Sequence, residues 1–113
     1  MKKLPAPKQI CRVTFDQLPI TPLPNAGIYI VAYMRQILYI GKAELNVSER
    51  LRSHMSQFSD IGYWLREVEP DWPNVRLDVL ELPDDQTESW LYQTENALIK
   101  RFKPLFNDKL QPD

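Results

Sequence analysis

Glu95 is a carboxylate inside an apolar stripe. The run Thr87–Phe102 reads as a helix whose apolar face is Leu91, Leu98, Ile99 and Phe102. At about 100° per residue, Glu95 falls between Phe102 and Ile99. A buried carboxylate without a partner is costly, so the position predicts a basic partner, a metal ion or the wall of a cleft. The plainer alternative is a side chain that escapes to solvent at the edge of the packing. Arg50 and His54 are four residues apart on an earlier helical stretch and share a face. The planar guanidinium of Arg50 suits a phosphate, although a solvated helical face is the simpler reading. His54 is the sole histidine, and such residues are more often structural than ligands. Tyr29 and Tyr39 lie on apolar strands and, taken singly, read as packing residues. Gly27 and Gly41 bracket the same strands and leave bare backbone where a ligand can approach.

Other chemistries lack their residues. The sequence has no glycine-rich phosphate loop, no nucleophilic serine elbow and no histidine pair for zinc. Cys11 stands alone, which excludes an internal disulfide or a cysteine-based zinc site and reads as a buried or idle thiol. Trp64, Trp72 and Trp90 read as packing residues, with no spacing that suggests a base-stacking platform.

The elements that must position these side chains follow from local patterns. Residues 1–24 hold five of the ten prolines, which remove backbone donors and disfavour helix. They read as an extended N-terminal arm with room for a short strand at Cys11–Phe15. Pro24-Asn25-Ala26-Gly27 is a turn signal. Gly27–Met34 and Ile37–Gly41 are dense in β-branched and aromatic residues and predict two strands. Arg35-Gln36 between them implies an antiparallel hairpin, although Arg-Gln is poor chemistry for a tight primed turn and the turn edges can be off by a residue. A helix follows, capped by Asn46 or Ser48, with Glu49 in its first turn and Val47, Leu51, Met55 and Phe58 as its buried stripe. Asp60–Glu67 predicts a second short helix that stops near Pro70 and Pro73. Val75–Leu82 predicts a third strand, with Val75, Leu77, Val79 and either Leu80 or Leu82 alternating. The last helix has Asp84, Asp85 and Glu88 at its start, and Lys100, Arg101 and Lys103 before Pro104, the charge order that a helix dipole favours. The order β-β-α-α-β-α predicts an α+β domain, a small antiparallel sheet flanked by helices.

Composition agrees with one folded domain: 113 residues, 43% hydrophobic and 26% charged. No apolar run reaches the roughly 18 residues of a membrane span, and no apolar stretch follows the charged start Met1-Lys2-Lys3 as a secretory signal would require. The cytoplasm is the expected location. The net charge of −1 argues against a nucleic-acid binder when taken alone. Arg35, Lys42, Arg50, Arg52, Lys100, Arg101 and Lys103 can still gather on one side.

Taken together, the residues resemble the GIY-YIG nuclease family. Gly27-Ile28-Tyr29 matches the first signature and Tyr39-Ile40-Gly41 the second, with nine residues between the tyrosines. The match extends through Lys42-Ala43, Arg50-Leu51, Glu95 and Asn107, and covers roughly residues 25–108, leaving 109–113 as a tail. The resemblance implies a three-stranded antiparallel sheet flanked by helices. It implies a DNA endonuclease, in DNA repair, recombination or restriction, that hydrolyses phosphodiester bonds with one divalent metal, magnesium or manganese, held by Glu95. By the same resemblance, Arg50 grips the scissile phosphate, Tyr29 acts as general base or positions the water, and Tyr39 orients water or phosphate. Asn107 supports the site. His54 helps proton transfer or contacts phosphate. A phenol has an unperturbed pKa of about 10, so Tyr29 needs a nearby cation, for which Lys42 is the candidate. Many family members carry a separate DNA-binding domain, and none is visible here, so a protein partner, self-association or DNA shape is expected to supply target recognition. The competing reading is a binding module for nucleic acid or protein that keeps the fold without turnover.

Overall fold

The computed structural model describes residues 4–18, 22–56 and 59–110. Its strands are β1 (Ile10–Thr14), β2 (Gly27–Tyr33), β3 (Gln36–Ala43) and β4 (Val75–Glu81). Its helices are α1 (Val47–Ser56), α2 (Asp60–Glu67) and α3 (Glu88–Phe102). All neighbouring strands pair antiparallel, in the order β1-β4-β2-β3. The sheet therefore has four strands where three were expected. The extra strand comes from the proline-rich segment, as Ile10–Thr14 pairs residue for residue with Leu80–Arg76. Phe15 is no longer strand. It opens a 3-10 turn, fully buried against Trp72.

The hairpin between β2 and β3 differs from the expected one by one residue. The turn is Met34-Arg35, with Tyr33 opposite Gln36. Both turn residues have positive φ, 51° and 68°. A two-residue primed turn demands that conformation to match the strand twist, and two side-chain-bearing residues adopt it here at a cost.

A β-bulge then breaks the pairing. Ala32 stands opposite Ile37, but Val31 stands opposite Tyr39, so Leu38 is skipped. Side chains alternate faces along a strand. The extra residue therefore turns Tyr39 to the face that carries Val31 and Tyr29.

The two faces bury different helices. Tyr29, Val31, Tyr39, Val75, Leu77 and Val79 pack with Val47 and Leu51 of α1 and with Ile61 and Leu65 of α2. Ile28, Ile30 and Ile40 pack with Trp90, Leu91 and Ile99 of α3, with Leu80 and Leu82 beside them. The irregular alternation at the end of β4 thus reflects two buried faces. In α1 the cap is Asn46, whose Oδ1 accepts from Glu49 N at 3.0 Å. Val47 and Leu51 are buried as predicted. Phe58 and the side chain of Met55 lie outside the described residues. In α3 the cap is Thr87, whose hydroxyl accepts from Ser89 N at 3.3 Å. Phe102 leaves the apolar stripe and is exposed, whereas Trp90 and Thr94 are buried. No helix among the described residues is long and apolar enough to cross a membrane.

Candidate active site

Four of the five side chains singled out first line one cavity of about 510 Å³: Tyr29 from β2, Tyr39 from β3, Arg50 from α1 and Glu95 from α3. Each arrives by a separate local rule. Tyr29 stands directly opposite Gly41 in the β2–β3 ladder. A Cβ on Gly41 would lie 2.4 Å from the Tyr29 hydroxyl oxygen. The bare backbone at Gly41 thus makes room for the Tyr29 ring, and Gly41 is itself part of the cavity wall. Gly27 serves the same purpose against β4, where a Cβ would meet the Leu80 carbonyl oxygen at 2.5 Å. Tyr39 reaches the cavity because of the bulge. Arg50 is exposed, one turn into α1. α3 packs mainly on the edge strand β3, which brings half-buried Glu95 to the cavity at that edge.

His54 does not share Arg50's exposure. It is 5% exposed and is not a wall of the cavity. Its Nε2 lies 2.7 Å from the Tyr29 hydroxyl. Its ring stands edge-on to Tyr29 and Tyr39, with centroids 5.8 and 5.1 Å away. Of the two roles expected of His54, proton transfer or phosphate contact, its position behind the Tyr29 phenol suits the first. Among the described residues, its Nδ1 is buried with no hydrogen-bond partner. Burial, reinforced by the charge of Arg50, pulls its pKa down to about 4, so the imidazole is neutral at pH 7.

Burial pushes the Tyr29 hydroxyl well above the ordinary phenol range, and Tyr39 and Glu95 add to the rise. The cation that opposes this is Arg50, not the expected Lys42. Burial raises Tyr39 as well, again against Arg50. Burial thus favours the neutral phenol at both positions. Lys42 lines the cavity, pairs with Glu44 at 3.2 Å and acts on Glu95.

Asn107 supports the cavity from behind. Its side-chain amide accepts from Ile40 N at 2.9 Å and donates to Ile40 O at 3.0 Å. It thus plays the part of a neighbouring strand on the open edge of β3, between Tyr39 and Gly41. The residue is 3% exposed and begins the last turn's helical pairing, with its own N–H on Pro104 O.

The donor set fits a hard divalent cation. Burial raises the Glu95 carboxyl above its ordinary range, with Lys42 and then Arg50 opposing. Among the described residues it has no hydrogen bond and no ion pair within bonding distance. The remaining polar groups on the wall are largely oxygen donors, without a thiol. No group of three or more metal-binding side chains exists among the described residues. One carboxylate with water and a substrate oxygen is a coordination that magnesium accepts and zinc disfavours.

Sequence reasoning missed several cavity residues: Glu44, Asn46, Glu49 and Ser53. Ser53 was within reach, since it stands three residues after Arg50 on the same helix. Of the seven basic residues that were candidates for one side, the cavity wall holds Lys42 and Arg50, together with three carboxylates.

The sequence model of the GIY-YIG catalytic domain matches residues 25–110. Among solved structures the chain is similar to the GIY-YIG N-terminal endonuclease domain of UvrC from Thermotoga maritima. The form bound to magnesium as its catalytic cation is 24% identical, with a TM-score of 0.58, covering 81% of this chain and 92% of that one. A tyrosine-to-phenylalanine variant of that domain, bound to its catalytic divalent cation, is 24% identical at a TM-score of 0.59, covering 81% and 91%. An asparagine-to-alanine variant is 23% identical at 0.58, covering 80% and 90%. At this level of identity the likeness establishes a common fold. No curated protein sequence matches the chain. The family match takes in the hairpin, α1, α3 and Asn107, and so every wall of the cavity. The chain belongs to the GIY-YIG catalytic-domain family, a family of nucleases.

Proposed function

We propose that this protein is a divalent-metal-dependent DNA endonuclease that hydrolyses phosphodiester bonds with a single metal ion held by Glu95. The observation that carries this reading is the meeting of Tyr29, Tyr39, Arg50 and Glu95, from four different elements, in one cavity. When bound, the metal supplies charge stabilisation for the phosphorane-like transition state and its leaving oxygen.

The guanidinium of Arg50 binds the non-bridging oxygens of the scissile phosphate through its donor fork. Tyr29 receives the attacking water. In the tautomer with hydrogen on Nδ1, neutral His54 accepts the Tyr29 proton at Nε2. The phenol oxygen then takes a proton from water while its own proton moves to His54, and no phenolate accumulates. The relay lets Tyr29 pass a proton without ionising; with a pKa of about 4, His54 holds that proton only in passing. The new bond joins the water oxygen to phosphorus, the bond to the leaving oxygen breaks, and that oxygen takes a proton from solvent while the imidazolium gives its own back to solvent. Tyr39 orients the water or the phosphate from the neighbouring strand. Asn107 acts through Ile40 and is a positioning residue.

The test is cleavage of supercoiled plasmid and of linear, flapped and four-way DNA by the purified protein in magnesium or manganese. Cutting is expected in the parent and its loss in Glu95→Ala. Cleavage that persists unchanged in Glu95→Ala sinks the assignment.

A further inference from the structure

The charge on the cavity wall is unusual for a site that would receive a polyanion. Its cations are Lys42 and Arg50, and its carboxylates are Glu44, Glu49 and Glu95. Two positive against three negative charges leaves the protein's own wall net negative by one, and a divalent ion on Glu95 would bring the site to net positive by one. Affinity for duplex DNA comes largely from cations that neutralise phosphates. Here Lys42 already has a carboxylate partner: its Nζ lies 3.2 Å from Glu44 Oε2.

The three carboxylates differ in what else they do. Glu95 is the half-buried group already described. Glu49 lies in the first turn of α1, where its charge suits the helix dipole and its N–H takes the Asn46 cap. Glu44 follows the last residue of β3, is exposed, and among the described residues has Lys42 as its hydrogen-bonding partner. The corner after it is pinned, because Val47 N donates to Asn25 O at 2.9 Å. Glu44 leaves the strand end two residues after Lys42, with its carboxylate on Lys42 Nζ.

We propose that Glu44 is a specificity-determining residue that masks Lys42 and so weakens capture of ordinary duplex DNA, an inference that rests on the nuclease reading above. The pair is solvent-accessible on both sides, at 31% and 45%, so an incoming phosphate competes directly with the carboxylate for Lys42. A phosphate held in place by a bound partner or by an unusual DNA shape makes that exchange readily. A phosphate on a freely diffusing duplex must first displace Glu44. Discrimination by a repulsive element is a general route to specificity.

The experiment measures binding of a short fluorescein-labelled duplex by anisotropy across a salt series, with calcium in place of magnesium to stop cleavage. The proteins are the parent, Glu44→Gln, Lys42→Met and the double variant. Glu44→Gln is expected to bind more tightly and to steepen the slope of log affinity against log salt by about 0.9, the value for one more neutralised phosphate. Neither gain is expected when Lys42 is already methionine. Equal affinity and slope in the parent and Glu44→Gln overturns the proposal and leaves the nuclease reading standing. The same gain in the Lys42→Met background also overturns it, since Glu44 would then act as general repulsion rather than a mask. Absence of binding by all four proteins at the lowest salt, with no cleavage by the parent in magnesium, overturns both readings together.

Discussion

The hydroxyl of Tyr29 sits 2.7 Å from Nε2 of His54, with both side chains buried. The first tripeptide of the hairpin is thereby coupled to α1 through a polar contact in an otherwise apolar layer. Tyr29→Phe removes the oxygen and leaves Nε2 unpaired, which is expected to cost about 1–3 kcal/mol of stability. If the hydroxyl relays the water proton, cleavage falls by roughly a hundredfold or more. Denaturant unfolding and initial cleavage rates, measured on the same preparation, separate the two effects. Near-parental rates in the phenylalanine variant would remove Tyr29 from the mechanism.

The buried imidazole makes stability depend on pH. The pKa of His54 is about 4 in the folded protein and about 6.5 in an unfolded chain. Between those values the unfolded chain binds the extra proton, so stability is lost as pH falls from about 6.5 towards 4. The loss is roughly 3 kcal/mol at most. Glu95, raised by burial, works in the opposite direction just above its ordinary range. Urea unfolding at a series of pH values checks this, with His54→Gln expected to flatten the acid limb. An equally steep limb in that variant refutes it.

Gly41 has no room for a side chain. Its Cβ would lie 2.4 Å from both the Cζ and the hydroxyl oxygen of Tyr29, and that ring is fully buried. Gly41→Ala must displace the phenol or the strand, at an expected cost of about 1–3 kcal/mol, with loss of the Tyr29–His54 contact. Melting temperature and the His54 imidazole resonances report the two consequences. A stable, fully active alanine variant would contradict the geometry.

Asn107 closes the open edge of β3 at Ile40. Asn107→Ala leaves a buried N–H and a buried C=O without partners and is expected to cost about 2–4 kcal/mol. The specific signature is faster native-state hydrogen exchange at the Ile40 amide. Asn107→Ala with unchanged protection at Ile40 would show that the edge is held by something else.

The hairpin turn offers a stabilising change away from the cavity. Met34 and Arg35 both hold positive φ, a conformation that costs side-chain-bearing residues about 1–2 kcal/mol each. Met34→Asn with Arg35→Gly supplies the residues this turn prefers. A gain of about 1 kcal/mol is expected after the entropy cost of glycine, with cleavage unchanged. Thermal unfolding decides the sign.

The sequence by itself determined the parts that depend on near neighbours. The apolar strands, the caps at Asn46 and the helical spacing that places Glu95 beside a buried stripe are all set within a few residues. The two tripeptides, with Arg50, Glu95 and Asn107, were sufficient to identify the family and to name Tyr29, Tyr39, Arg50 and Glu95 on the cavity wall. The tertiary structure decided what depends on partners distant in the chain. With unbroken pairing from the Met34-Arg35 turn, Tyr39 would stand opposite Ile30 and face α3; the bulge at Leu38 turns it towards Tyr29. The short strand near Cys11–Phe15 was legible, but its pairing with β4 requires a strand more than sixty residues away, which nothing local announces. The burial that neutralises His54 and raises Tyr29 is likewise a sum over two sheet strands and α1. Periodicity is written in adjacent residues, whereas strand register and desolvation are fixed only when remote segments exclude water together.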